Sequence, residues 1–112
     1  LAVQQINASS ADFIIICGDL TEAIDDSQIK EFKRIKAGFT KHAYCAAGNH
    51  DLSNNPNSAT LELYRLRIGP DYQSFEHEGI TFATVNTQLW KANVPEESSR
   101  HQRWLDGVLD RL

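Results

Sequence analysis

The chain lacks most of the features that identify a function at a glance. No apolar stretch reaches the length needed to span a bilayer. No lysine–arginine cluster is interleaved with aromatics, so no nucleic-acid groove is indicated. The one basic run, Lys30 to Lys36, reads as the solvated face of a helix. No Gly-x-Gly-x-x-Gly or Walker-type run follows a strand, which argues against a nucleotide loop. Repeats, low-complexity tracts and linkers are absent too. There are two cysteines, Cys17 and Cys45, each inside an apolar run, and both read as small buried hydrophobes. A disulfide between neighbouring strands stays open, while two lone thiols fit a reducing compartment. The expected location is cytoplasmic, although the start of the chain says little about it, because the residues read as beginning in mid-domain.

What is there is one modest domain's worth of chain: 112 residues, net charge −4, and an ordinary apolar fraction. The end of a helix is expected over Leu1 to Ile6, stopped by the breakers Asn7 to Ser10. Phe13 to Cys17 is an apolar run of strand length and reads as a strand buried on both faces. A polar connection, Leu20 to Asp26, leads to a helix capped by Ser27. Its apolar face holds Ile29, Phe32 and Ile35, and Gly38 ends it. Ala43 to Ala47 is the next strand, 52–57 a loop, and Ser58 to Ile68 a helix ended by Gly69-Pro70.

The second half reads as a hairpin, Tyr72 to Glu76 and Ile80 to Asn86, joined at His77-Glu78-Gly79. A loop, Leu89 to Pro95, then precedes a helix from about Glu97. Its stripe is Trp104, Leu105, Val108, Leu109 and Leu112. This order predicts an α/β domain with a mixed sheet. Trp104 reads as core and Trp90 as a possible cleft residue. His42 and His77 read as loop and turn histidines, and His101 as a surface or partly buried packing residue.

The chemistry concentrates at two strand ends. Gly48-Asn49-His50-Asp51 sets an amide, an imidazole and a carboxylate side by side on a turn. Chance gives such a tetrapeptide in a chain this short about 10⁻³ of the time or less. A second turn, Gly18-Asp19, closes the earlier strand about thirty residues upstream, with a helix between. Oxygen and nitrogen ligands converging from two strand ends suit a hard metal and phosphate chemistry. Asp19 can supply an anionic oxygen between two cations, and Asn49 a neutral oxygen to one of them. His50 can protonate a leaving oxygen, with Asp51 fixing its tautomer. Asn86 and Gln88 follow an apolar run to the same edge of the sheet, where they read either as strand-end caps or as substrate-binding residues that contact phosphate or order a metal-bound water.

Gly18-Asp19 followed by Gly48-Asn49-His50-Asp51 resembles the calcineurin-like metallophosphoesterase superfamily. The order Asn55-Pro56, Tyr72-Gln73-Ser74-Phe75, Val85-Asn86-Thr87-Gln88 and Gln102-Arg103-Trp104-Leu105 resembles its subgroup described as serine/threonine phosphatases. The resemblance implies a two-sheet sandwich flanked by helices and two metal ions, divalent or trivalent (iron, zinc or manganese). Asp19 and Asn49 would be metal ligands and His50 the leaving-group acid, partnered by Asp51. It implies hydrolysis of a phosphate ester by a bridging hydroxide, most simply a monoester on a phosphoprotein or small molecule. The alternatives are a cyclic-nucleotide or other phosphodiesterase, or an inactive protein-binding relative. The superfamily's Asp-x-His, lone His and Gly-His-x-His blocks have no match here. Residues 1–112 are therefore expected to be an internal portion of a single metallophosphoesterase domain, inactive alone. Oligomeric state is left open.

Overall fold

The structure, a computed structural model, describes residues 2–22, 25–53 and 55–112. Leu1, the centre of the connection at Ala23-Ile24, and Asn54 of the expected loop lie outside the described residues. The elements run α1 (Ala2–Asn7), β1 (Ile14–Cys17), α2 (Asp26–Ala37), β2 (Ala43–Ala46) and α3 (Asn49–Leu52). They continue with α4 (Ser58–Arg67), β3 (Gln73–His77), β4 (Ile80–Thr84), α5 (Gln88–Lys91) and α6 (Glu97–Asp110).

The fold is mixed α/β, but the strands do not join one mixed sheet. β1 and β2 form a parallel pair and β3 and β4 an antiparallel pair. In the parallel pair Ile16 lies opposite Cys45 and Cys17 opposite Ala46, with α2 as the crossover. Side chains alternate along a strand, so Cys17 and Cys45 point to opposite faces and both are free thiols. The two sheets meet through aromatic rings. Tyr44 of β2 stacks on Phe75 of β3 with centroids 3.6 Å apart, and Phe13 meets Phe75 and Phe82 edge-on.

β1 is not buried on both faces as its composition predicts. Ile15 is 38% exposed and Cys17 is exposed, because β1 has a neighbour only on its β2 edge among the described residues. Cys45 is buried, and burial pushes its thiol pKa up.

Caps fix the helix starts. Asp25, not Ser27, caps α2: its carboxylate accepts from Gln28 N at 2.9 Å, and the Ser27 hydroxyl donates to it. These bonds hold the Asp25 carboxyl below its ordinary pKa. Asn57 caps α4 in a reciprocal pair with Thr60. The hairpin turns at Glu78 (φ 50) and Gly79 (φ 79), the paired left-handed conformation of a two-residue turn. The expected loop from Leu89 begins as a helical turn, α5.

The main core lies under the second motif. Ala47, Leu52, Leu61, Tyr64, Leu89 and Val94 pack together, with Leu20, Ile68 and Tyr72 against them. Leu52 and Leu61 are fully buried, and each stabilises the fold by about 1.5–3 kcal/mol. The loop after β2 is therefore anchored from below, by α3 and α4.

Candidate metal and phosphate site

The site is made where β1 and β2 end. Because the two strands are parallel, Gly18 and Gly48 leave the sheet side by side, and Gly18 N still donates to Ala46 O at 3.0 Å. Gly18 has φ +66 and Asp19 φ 47. The first suits glycine, and aspartate is among the few residues that tolerate the second. Two left-handed residues in succession turn the Asp19 carboxylate back over the start of α3. There Asp19 Oδ1 accepts from His50 N at 3.1 Å.

Gly48 is required for a different reason. A β-carbon on it would lie 2.2 Å from Asp19 N and 2.3 Å from Asp19 Oδ1. Only a residue without a side chain lets the two turns close to this distance. Asp19 and the Asn49-His50 segment are thus brought together, as the sequence predicts.

Asp51 behaves differently from the expectation. It is fully buried, and its carboxylate accepts from Leu20 N (3.0 Å), Thr21 N (2.8 Å), Thr21 Oγ1 (2.9 Å) and Gly48 N (3.0 Å). Two of these partners follow Asp19 and one opens the second motif. Asp51 therefore ties the first turn to the second and does not orient the imidazole. The reason is local: α3 places Asp51 at the third helical position, where a carboxylate folds back toward the helix cap.

The His50 ring is held instead by the first turn. Its Nδ1 meets Glu22 O at 2.9 Å. A carbonyl oxygen only accepts, so Nδ1 carries a proton and Nε2 is the ring atom left for chemistry. His50 is exposed, as is Asp19. Neither Leu20, Thr21 nor Glu22 was singled out in the sequence. Three backbone groups and a hydroxyl carry these contacts, and no residue type signals them.

Asn86 and Gln88 lie elsewhere. Asn86 is fully buried, its Nδ2 donating to Asp71 Oδ2 at 2.9 Å and its Oδ1 accepting from Gln88 N at 3.1 Å. Its backbone N–H donates to His101 Nε2 at 3.1 Å. β4 ends at Thr84, so this segment is a braced turn, with no Asn86 surface open to a substrate. Asp71 is held in turn by Arg65, whose Nε is 2.6 Å from Asp71 Oδ1 and whose second guanidinium nitrogen is 2.5 Å from Glu97 Oε2. His101, expected at the surface or in partly buried packing, is fully buried beside Tyr72, Trp90 and Trp104. Burial lowers its pKa.

The donor chemistry of the Asp19 region fits a hard cation. An exposed carboxylate and the amide of Asn49 lie on adjoining turns, with the Gly48 cradle between them. Another group of potential ligands, Asp12, His77 and Glu78, has ligand atoms within 4.8 Å of one another. It lies beyond the opposite end of β1, against the hairpin tip, and is separate from Asp19. Among the described residues, no helix is long and apolar enough to cross a membrane.

Comparison with known proteins identifies the family. The calcineurin-like phosphoesterase family model matches residues 1–107. Proteins named serine/threonine-protein phosphatase CPPED1 are similar over nearly the whole chain. The Danio rerio protein is 35% identical over 96% of this chain, the Homo sapiens protein 30% over 96%, and the Mus musculus protein 31% over 97%. In each case the match spans 38% of the relative's own length. No solved structure matches the chain significantly. The chain belongs to the calcineurin-like phosphoesterase family.

Proposed function

We propose that this chain contributes part of the catalytic centre of a metal-dependent phosphomonoesterase, with a phosphoprotein as the natural substrate class. The observation that carries the reading is the Asp19 carboxylate held at the start of α3 by His50 N, against a glycine that leaves no room for a side chain. The name of the similar proteins supports a phosphoserine or phosphothreonine substrate.

In this reading Asp19 and Asn49 hold the metal ions, iron, zinc or manganese in type. Bound cations would supply Lewis acidity toward the phosphoryl group. The chain's own residues do the rest. Asp51 fixes the spacing of the two turns, and Glu22 O fixes the His50 ring with Nδ1 protonated. When the ring is doubly protonated, Nε2–H donates to the leaving oxygen as its bond to phosphorus breaks. Asn86, buried against Asp71, and Gln88, bonded to Asn86, are assigned to bracing the fold.

The test is leaving-group dependence in the full-length metal-loaded protein. His50→Ala lowers kcat/KM for alkyl phosphates by about 10²–10⁴. It lowers that for 4-nitrophenyl phosphate far less, since a good leaving group needs little protonation. Equal losses for both esters would reject the acid role.

A further inference from the structure

A cavity of about 500 Å³ opens between the Asp19–Glu22 segment and α2, with Asp19 and His50 in its wall. This volume lies within the range of small-molecule sites. Its apolar lining comes from Leu20, Phe32 and Ile35, on the side of α2 that faces the first turn. Ile35 is 43% exposed, although it belongs to the apolar face of its helix. The main core, built on Ala47, Leu52 and Leu61, does not include Phe32 or Ile35. The cavity is thus an apolar surface beside two groups with chemistry.

Its charges have one sign. Asp19, Glu22 and Glu31 line it, and no lysine or arginine does so among the described residues. Glu31 is paired with Arg34 along the helix surface and Asp19 is assigned to the cations, which leaves Glu22 as the carboxylate of the lining with no cation assigned to it. An apolar lining with one such carboxylate accepts an uncharged apolar group more readily than an anionic one.

His50 decides which part of a substrate enters. Its Nδ1 is committed to Glu22 O, and the ring itself forms part of the cavity wall. An acid that protonates the leaving oxygen has the rest of the leaving group next to it. We infer that this cavity receives the leaving group of the phosphate ester and selects an uncharged, apolar, ring-sized one. The inference rests on the phosphomonoesterase reading. Such a group can come from an aryl ester or from an apolar side chain beside a phosphorylated hydroxyl in a peptide.

The test uses the full-length metal-loaded protein and two readouts. In the first, kcat/KM is compared for phenyl, 2-naphthyl and 4-carboxyphenyl phosphates, and for phosphoserine peptides with Phe or Asp beside the phosphoserine. The expected result is about a tenfold preference for naphthyl over phenyl, from the extra buried ring, and discrimination against both carboxylated substrates. Phe32→Ala and the surface variant Ile35→Gln reduce the naphthyl-to-phenyl ratio toward one. A preference confined to the aryl esters assigns the cavity to the ester group itself. A preference confined to the peptides assigns it to the neighbouring side chain. In the second readout, 2-naphthol binding is followed by NMR shifts at Phe32, Ile35 and His50 and weakens at least fivefold in Ile35→Gln. Turnover indifferent to ring size and charge would overturn the inference while leaving the phosphoesterase reading intact. If no ester is hydrolysed, that reading fails, and absence of naphthol binding would overturn the cavity assignment on its own.

Discussion

Removing the Asp51 carboxylate gives the sharpest account of what holds the two motif turns together. Asp51→Ala removes the carboxylate that accepts from three backbone N–H groups, of Leu20, Thr21 and Gly48, and from the Thr21 hydroxyl. Asp51 has no exposed surface and Thr21 only 5%, while Leu20 and Gly48 are half-buried, so water does not reach the Thr21 donors without local rearrangement. An orphaned buried donor costs about 1–3 kcal/mol. A hydrogen bond to a charged group contributes about 1.5–3 kcal/mol, and relaxation around the space vacated lowers the sum over the four. The expected loss for Asp51→Ala is therefore about 3–5 kcal/mol, with Asp51→Asn slightly less because one oxygen is kept. The assay is urea unfolding of each variant, with m checked so that a shift in midpoint reports stability alone. Asp110→Ala, on the exposed end of α6, serves as the control and stays within about 0.5 kcal/mol. A loss below about 1 kcal/mol for Asp51→Ala, together with a changed pH profile of kcat, would refute the bracing role. It would restore the imidazole-orienting one.

Gly48→Ala forces a methyl group into Asp19 N and Oδ1 and destabilises by at least about 1–3 kcal/mol; an unchanged urea midpoint would show that the turns have slack. His101 contributes a pH dependence whose sign follows from its burial. Its folded pKa lies below the ordinary 6.5, so on acidification the unfolded chain takes up the proton first. Stability is then complete above about pH 6.5, falls as pH drops below it by at most about 1.4 kcal/mol per unit, and levels off once the folded imidazole is also protonated. Melting temperatures measured from pH 7.5 to 4.5 should show this decline, and His101→Phe should flatten it; an equal slope in both proteins would assign the decline to other groups.

The sequence was most readable where local chemistry fixes the backbone. The apolar runs at Ile14–Cys17 and Ala43–Ala46, each closed by glycine, form parallel strands, and their pairing brings Asp19 beside Asn49-His50. That convergence was legible because both motifs sit at the same end of neighbouring strands. The role of Asp51 was not. Adjacency in sequence suggested a partner for His50, whereas the helical turn of α3 sends the carboxylate toward Leu20 and Thr21, about thirty residues away. The full burial of His101 was missed for a related reason. A polar residue early in a helix reads as surface, and only the tertiary requirement of Asn86 N–H for a buried acceptor explains its burial. At β1 the composition said buried on both faces, yet burial depends on neighbours that a strand's own residues do not specify.

The account stands on a cation being gripped where the Gly18-Asp19 and Gly48-Asn49 turns touch. Titrating Mn²⁺ into the isotopically labelled full-length protein tests this directly, because the paramagnetic ion broadens amide signals nearest to it. The account predicts early, selective loss of the Asp19, Asn49 and His50 signals, abolished by Asp19→Asn. Sharp signals at those residues, with broadening confined to Asp12, His77 and Glu78, would contradict it.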